Sequence, residues 1–289
     1  MDTQIPRIHC IAGPTASGKS SRAVTEALAR GGEVISVDSR QVYRGLDIGT
    51  EKISAEEMRD IPHHLIDIRE PGENYSAGDF VKDATRLIEE ISARGKLPIL
   101  AGGTHFYFDA LLRGLPEGVG VNLALRDELE ELTTEELYAR GAASDARRAA
   151  ELDPKNRRRL IRALEIIESR GAVPARPKAA PAYDAEWITI DPSREELRAN
   201  IDTRLTSALA RGLVDEVQRV REQVGDVRLN ELGLEYKIVG EYLRGERTES
   251  SLLPTLSAKL WQYARRQKAW LRKLRDETIA ATPSLQDRS

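Results

Sequence analysis

The strongest chemical signal in the chain is Gly13-Pro14-Thr15-Ala16-Ser17-Gly18-Lys19-Ser20. This run matches a phosphate-binding loop, in which glycines let backbone N–H groups turn toward a phosphate. Lys19 adds a positive charge, and the Ser20 hydroxyl can bind Mg²⁺. The predicted polyphosphate ligands are Gly13, Thr15, Ala16, Ser17, Gly18, Lys19 and Ser20. A chance glycine-rich turn is the alternative, but strand-like residues before the run and helix-forming residues after it argue against that.

Two other apolar runs end in polar residues that could act on the same phosphate. Residues 34–37 lead into Asp38, and residues 99–101 lead into Gly102-Gly103-Thr104. In a parallel sheet both ends lie on the ligand side, beside the first loop. Asp38 could then be a metal ligand or a general base, or it could cap a helix. Thr104 could bond a phosphate or a leaving-group oxygen, or cap the helix that follows it.

The elements that must position these residues alternate between strand and helix. Apolar runs predict strands at residues 7–11, 34–38, 65–68, 97–101 and 187–191. Ser76 and Ser193 begin two helices as capping residues, and the first has an apolar face formed by Phe80, Ala84, Leu87, Ile88 and Ile91. This pattern predicts an α/β fold, with a P-loop core whose mostly parallel sheet is flanked by helices.

The pattern changes after Gly114, so we expect four segments. Residues 1–114 form the first part of the P-loop core, and residues 115–185 form a helical insertion. A Pro/Ala-rich linker is expected from Ala172 to Ala182. Residues 186–277 complete the core and supply basic C-terminal helices, and residues 278–289 form a loose tail.

Composition narrows the class of protein. The 289 residues include 44 Lys and Arg against 47 Asp and Glu, a net charge of −3, and no long apolar run predicts a membrane span or signal peptide. We therefore expect a cytoplasmic protein that acts as a monomer and does not bind a membrane. The single cysteine, Cys10, is expected to be buried, and His63-His64 is expected to make ordinary hydrogen bonds because no third metal ligand is evident.

Basic residues are concentrated in two stretches. One holds Lys155, Arg157, Arg158, Arg159 and Arg162. The other, residues 255–275, contains no Asp or Glu and combines Arg265, Arg266 and Lys268 with Trp261, Tyr263 and Trp270. Interleaved basic and aromatic side chains suit single-stranded nucleic acid, although a solvated helix face is the alternative. Together with the phosphate loop, they favour an enzyme that acts on RNA.

At this level of detail the chain resembles the tRNA dimethylallyltransferases, also called isopentenyl-tRNA transferases. The similar motifs are residues 13–20, 38–43, 49–52, 62–67, 75–76 with Phe80, 102–104, 162–165 and 263–270, in the family's order. The likeness spans residues 8 to about 275. The chain departs from the usual pattern at residues 152–156, at Glu235 and at Phe106, and its insertion looks shorter.

The resemblance implies a prenyl transfer. The N6 amine of the adenine immediately 3′ of the tRNA anticodon would attack C1 of dimethylallyl diphosphate, and diphosphate would leave with Mg²⁺ assistance. Asp38 would be the base, Thr104 would bond the diphosphate and Arg204 would bind it. A surface role is the alternative for Arg204. The implied tRNA-binding residues are Asp38, Ser39, Arg40, Gln41, Arg158, Arg159, Leu160, Ile161, Arg162, Tyr236, Lys237, Arg265, Arg266 and Lys268.

Three other functions stay open on the sequence alone. A small-molecule P-loop kinase would use Asp38 to activate a hydroxyl and Lys19 to bind ATP. An adenylate isopentenyltransferase would prenylate a free nucleotide, for which the two basic stretches have no obvious use. A P-loop RNA-binding switch would bind RNA without releasing diphosphate above background.

Overall fold

The computed structural model describes residues 5–115, 122–174 and 182–281. A five-stranded sheet organises the part of the chain that carries the phosphate loop. Its strands are β1 (Arg7–Ala12), β2 (Gly32–Val37), β3 (His63–His64), β4 (Leu97–Gly102) and β5 (Asp184–Thr189). Their order is β3-β2-β4-β1-β5, and every pairing is parallel. The predicted α/β fold with a parallel sheet is confirmed.

The register brings the ends of the central strands together. Ala12, at the end of β1, pairs with Gly102 at the end of β4, and Val37, at the end of β2, pairs with the same Gly102. The loops that follow these three strands therefore emerge side by side at one edge of the sheet. A Cβ on Gly102 would lie 2.1 Å from the Val37 carbonyl oxygen, so only glycine permits this approach.

The prediction for the third strand is wrong. The apolar run predicts a strand at residues 65–68, but the strand consists of His63 and His64, which pair with Val34 and Ile35. Leu65 and Asp67 have φ angles of 61° and 55°, in the left-handed region, so the chain cannot continue as a strand there. Cys10 on β1 is buried, as predicted.

Twelve α-helices occur in the described residues. They are α1 (Lys19–Arg30), α2 (Ala55–Met58), α3 (Ala77–Ala93), α4 (His105–Arg113), α5 (Leu123–Glu130), α6 (Thr134–Ser144), α7 (Ala146–Glu151), α8 (Arg157–Arg170), α9 (Arg194–Ala210), α10 (Leu213–Leu229), α11 (Leu234–Leu243) and α12 (Leu252–Ala281). The capping boxes of α3 and α9 form as predicted, and the predicted face of α3 is buried. No helix of the described residues has the length and apolarity that crossing a membrane requires.

The chain divides into two compact units, residues 1–112 with 180–289 and residues 113–179. The smaller unit holds α5 to α8, which pack around an apolar cluster that includes Leu129, Leu137 and Leu164. The predicted linker at 172–182 falls mostly on residues 175–181, outside the described part. The first residues of the predicted tail at 278–289 belong to α12, which continues to Ala281. Residues 282–289 lie outside the described part.

Candidate active site

The phosphate loop joins β1 to α1, and its residues Thr15 to Ser20 line a cavity. Gly18, the residue before α1, has a φ of 81° and offers no side-chain cap to the helix, while Ala16 has a φ of 60°. The first N–H groups of α1 therefore need a ligand or water as acceptor, and the helix dipole favours an anion there. The Ser17 hydroxyl is buried without a protein hydrogen-bond partner. These features suit a bound phosphate.

Lys19 is the first residue of α1 and lines the same cavity as the phosphate loop. Its ammonium donates to the carbonyl oxygen of Pro14 over 2.6 Å, which folds the side chain back along the loop. Burial lowers the pKa of Lys19 to about 8, while the Asp38 carboxylate opposes this shift and the Arg204 charge adds to it. Two cations and one carboxylate therefore act on one another within a single pocket.

Asp38 lies directly after β2 on the wall of this pocket. Its Oδ1 accepts N–H groups from Arg40 (2.8 Å) and Gln41 (3.3 Å), so the side chain caps a turn rather than a helix. These bonds hold the carboxylate in one orientation. The alternative of a helix cap is therefore wrong, because no helix follows this turn. The turn is compatible with proton acceptance at the other carboxylate oxygen.

Thr104 connects the loops after β2 and β4. Its N–H donates to the Val37 carbonyl over 3.1 Å, and its Oγ1 accepts the Ser39 N–H over 3.2 Å. The backbone carbonyl of Thr104 accepts the N–H of Tyr107, in the first turn of α4, over 2.9 Å. The side chain therefore ties the Asp38 turn to the end of β4, so Thr104 has a positioning role, and its bond to the diphosphate stays a prediction.

Arg204 reaches the phosphate loop from α9. Its Nη1 donates to the Thr15 hydroxyl, and its Nη2 donates to Gly49 O (3.1 Å) and to Glu235 Oε1 (3.2 Å). The Arg204 side chain is only 12% exposed, which excludes the alternative of a surface arginine. Asn200, one helical turn earlier, donates to the carbonyl of Ala16 over 3.1 Å, so the same face of α9 holds the loop twice.

Gln267 is a supporting residue for which the sequence predicted no role. It lies on α12, is 3% exposed, accepts the Thr15 N–H (3.0 Å) and donates to the Gly103 carbonyl (2.9 Å). One side chain thereby bridges the loops after β1 and β4. The signal was a polar residue within the buried stripe Leu260, Ala264, Leu271 of α12.

Glu216 on α10 is a second unpredicted support. Its buried carboxylate accepts the N–H groups of Asp47 (3.0 Å), Ile48 (2.7 Å) and Gly49 (2.9 Å). It also accepts the Tyr236 hydroxyl over 2.7 Å. Because the Gly49 carbonyl accepts from Arg204, Glu216 fixes the segment that orients the arginine.

Most of these groups line one cavity of about 730 Å³, but Thr104, Asn200 and Glu216 are not among its lining residues. Its wall includes Lys19, Asp38, Arg204, Glu235, Tyr263 and Arg266. A volume of this size holds a small-molecule substrate. The lining combines the main-chain segment of the phosphate loop with cations and carboxylates. The predicted diphosphate ligands at Thr15 to Ser20 also line the cavity, whereas Gly13 lies beneath it, where a Cβ would strike Ser17 and Ile190.

The predicted RNA-binding residues of the larger unit have different surroundings. Ser39, Arg40 and Gln41 line the cavity, and the Gln41 amide also holds the carbonyls of Thr50 and Glu51, each over 3.3 Å. Lys237 is exposed on α11. Tyr236 is 1% exposed, its ring packs on Gly49, and it lines the cavity, so it has a packing role, and its RNA contact stays a prediction.

On α12 only some of the predicted basic residues face solvent. Arg265 and Arg266 are exposed, and Arg266 lines the cavity. Lys268 instead pairs with Asp191 (2.5 Å) and donates to the Pro192 carbonyl (2.6 Å). This pair links α12 to the segment after β5, so the prediction that Lys268 binds RNA is replaced by a structural role.

In the smaller unit, the predicted RNA ligands on α8 lie on different faces of the helix. Arg158 and Arg159 are exposed, and Arg162 pairs with Glu165 over 2.9 Å. Leu160 and Ile161 are 2% and 4% exposed and belong to the apolar core. The prediction is wrong for these two, because side chains buried in the core cannot contact RNA.

The two adjacent histidines make hydrogen bonds, as predicted. His63 Nδ1 donates to the carbonyl of Ile61 over 2.8 Å, and His64 Nε2 lies 2.8 Å from a carboxylate oxygen of Glu33. Among the described residues no cluster of three acidic, histidine or cysteine side chains could hold a metal. Mg²⁺, however, is often bound by one or two protein oxygens together with substrate phosphates, and Ser20 at the cavity fits that pattern.

Comparisons with known proteins agree with this geometry. The IPP transferase family model matches residues 41–274. A tRNA dimethylallyltransferase of Anaeromyxobacter dehalogenans strain 2CP-C is 41% identical over 286 residues, covering 96% of this chain and 95% of that protein. A homologue of the same name in Streptococcus sanguinis is 40% identical and covers 92% of this chain and 89% of its own length.

Solved structures give the same result. The tRNA isopentenylpyrophosphate transferase of Bacillus halodurans superposes with a TM-score of 0.68 at 38% identity, covering 92% of this chain and 87% of that one. A eukaryotic dimethylallyltransferase, described as acting on tRNA, superposes with a TM-score of 0.83 at 28% identity, covering 95% and 72%. The chain is a member of the tRNA dimethylallyltransferase family.

Proposed function

We propose that this enzyme transfers the dimethylallyl group of dimethylallyl diphosphate to N6 of the adenine immediately 3′ of the tRNA anticodon. The observation that carries the proposal is one cavity in which the phosphate loop, Lys19 and Arg204 lie near the Asp38 carboxylate. Such a site can grip a departing diphosphate while a base acts on the opposite side of the reacting carbon.

In the reaction, the bond between C1 and the diphosphate oxygen breaks, and a bond between N6 and C1 forms. The amides at Gly18 and Lys19, the Lys19 ammonium and Arg204 neutralise the charge of the leaving diphosphate. Asp38, oriented by the N–H groups of Arg40 and Gln41, takes the proton that N6 loses on alkylation. The products are the prenylated adenine, diphosphate and a proton that passes to solvent.

Thr104 and Ser17 complete the donor site. The Thr104 side chain, tied to Ser39, lies at the end of β4 beside the loop and is suited to bond the diphosphate. The partnerless Ser17 hydroxyl would gain a phosphate acceptor. Ser20 would hold Mg²⁺ together with diphosphate oxygens, and the ion would supply further neutralisation of the leaving group.

The acceptor is proposed to be the tRNA anticodon arm. Arg265 and Arg266 on α12 and Lys237 on α11 are exposed basic residues in the larger unit. They can neutralise RNA phosphates. Because the cavity encloses the reacting groups, the target adenine has to leave its stack to reach Asp38.

The test is a transfer assay with labelled dimethylallyl diphosphate, MgCl₂ and a tRNA transcript that carries adenine 3′ of the anticodon. The control transcript has guanine at that position. We expect one label per adenine transcript, mapped by mass spectrometry to that nucleotide, and none on the control. Label on both transcripts, or on neither, contradicts the proposal.

Assays of the same protein with other substrates and readouts distinguish the other functions. Labelled product with AMP and none with tRNA would identify an adenylate isopentenyltransferase. Phosphorylated acceptor in reactions with ATP would identify a kinase. RNA binding with diphosphate release at background would identify a binding switch.

A further inference from the structure

Arg204 has most of its hydrogen-bonding capacity occupied by the protein. Its Nη1 donates to Thr15, its Nη2 donates to Gly49 and Glu235, and its Nε lies 3.5 Å from Glu51. A guanidinium has five N–H groups, and these contacts involve four of them. A phosphate that engages two N–H groups side by side must therefore displace at least one of these partners.

The four partners differ in how they can respond to an anion. Thr15 and Gly49 are uncharged at these atoms and belong to segments that are held independently. The Glu51 side chain is 45% exposed and also pairs with Arg211 over 3.0 Å, so it can turn to solvent. The Glu235 side chain is only 11% exposed and lines the cavity, so its charge stays near an incoming diphosphate.

We propose that Glu235 is an internal anion that occupies Arg204 in the empty pocket, and that the diphosphate displaces it while Glu235 takes up a proton from solvent. The proposal rests on the proposed function, because it requires a ligand with a diphosphate group. Glu235 is then a residue that sets the affinity of the donor site and makes that affinity depend on pH.

The charges around Glu235 explain why it would be protonated. Burial raises the pKa of Glu235, Arg204 lowers it, and the Asp38 carboxylate raises it again. When Arg204 turns to the diphosphate, Glu235 loses its contacting cation and gains a negative neighbour, which both favour the neutral acid. The ionisable groups facing Glu235 from the surrounding elements are Arg204 on α9, Asp38 and Arg40 after β2, and Tyr263 on α12.

The experiment measures binding of inorganic pyrophosphate to the full-length protein by calorimetry. Titrations run from about pH 5 to pH 7.5, below the Lys19 pKa of about 8, so that Lys19 is mostly charged, and its own proton uptake is common to all the proteins compared. Buffers of different ionisation enthalpy give the number of protons taken up. Wild type is compared with Glu235→Gln, which keeps the shape, and Glu235→Ala, which removes the acceptor. Glu241→Gln is the control, since Glu241 lies on the same helix but pairs with Arg247 away from the cavity.

Protons that bind to pyrophosphate itself cancel in the difference between proteins. We expect wild type and Glu241→Gln to take up more protons than either Glu235 variant, by a difference approaching one. We also expect both Glu235 variants to bind pyrophosphate at least tenfold more tightly at pH 7.5 and to show a flatter pH dependence. Identical proton uptake in all proteins overturns the inference. Weaker binding by both Glu235 variants at every pH also overturns it, because Glu235 would then be holding Arg204 in position for the ligand.

The transfer assay separates this inference from the proposed function. Normal prenyl transfer without the Glu235-dependent proton uptake refutes the inference alone. Proton uptake with pyrophosphate in a protein that transfers no prenyl group refutes the proposed function alone.

Discussion

Replacing Glu216 by Gln tests whether a remote carboxylate positions the diphosphate-binding arginine. In wild type, Glu216 Oε2 accepts from Asp47 and Ile48, and Oε1 accepts from Gly49 and the Tyr236 hydroxyl. The glutamine carbonyl can keep the first two bonds. Its NH₂ group can donate to the tyrosine oxygen, but it faces the Gly49 N–H and leaves that donor unpaired.

The expected loss of stability can be worked out from these contacts. An unpaired buried donor costs about 1–3 kcal/mol, and the bonds that remain lose charge assistance, so we expect about 3 kcal/mol of destabilisation in total. In a unit of this size that corresponds to a fall in melting temperature of about 6–12 °C. Since the Gly49 carbonyl anchors Arg204, pyrophosphate binding should weaken about tenfold, the equivalent of one hydrogen bond to a charged group.

The assay is thermal unfolding together with pyrophosphate calorimetry at pH 7. Glu222→Gln is the matched control, because Glu222 lies on the same helix, is exposed and contacts Gln218 over 2.7 Å. Its effect should be within about 0.5 kcal/mol. Tyr236→Phe removes one of the four donors, and its combination with the Glu216 variant should be non-additive. If Glu216→Gln matches Glu222→Gln in both measurements, the positioning role is refuted.

Two further predictions concern RNA affinity and pH. The double variant Arg265→Ala, Arg266→Ala should bind tRNA more weakly than wild type. Because two phosphate contacts are lost, the slope of log K against log salt should decrease in magnitude by about 1.4–1.8. Filter binding at about 50 to 200 mM salt measures this slope, and an unchanged slope would mean that neither arginine contacts RNA. The Lys19 pKa of about 8 lies below its ordinary value, so the ammonium is charged below pH 8 and neutral above it. The affinity of the wild-type protein for pyrophosphate should therefore fall as pH rises above about 8, by up to about tenfold per pH unit. The Lys19→Met variant should bind pyrophosphate more weakly at pH 7 and should lack this decline. If both proteins show the same decline, Lys19 is not its source.

The local features of the site could be predicted from the sequence. The phosphate loop is contiguous and depends on glycines at fixed spacing. Asp38 and Thr104 follow buried strands, whose parallel pairing brings their ends together. The start of α3 after Ser76 follows from the local capping box, and its buried face follows from the helical period.

The supporting residues could not be predicted in this way. Glu216 acts on residues more than 160 positions earlier in the chain, and Gln267 on residues more than 160 and 250 positions earlier, so their roles exist only in the folded chain. Each did leave a trace, as a polar residue within an apolar helical stripe. The resemblance places Leu160 and Ile161 among the tRNA ligands as part of a contiguous run, although their spacing to Leu164 puts them on the buried face of α8.

The most direct test of the account is the Asp38→Asn variant in single-turnover transfer. Asparagine keeps the shape and the acceptor for the Arg40 N–H but cannot take a proton from N6. We expect the rate of transfer to fall by about 10²–10⁴-fold, while the dissociation constants for tRNA and pyrophosphate stay within about threefold of wild type. A variant that transfers at the wild-type rate, or one whose loss of rate is matched by its loss of tRNA binding, would contradict the role of Asp38 as the base.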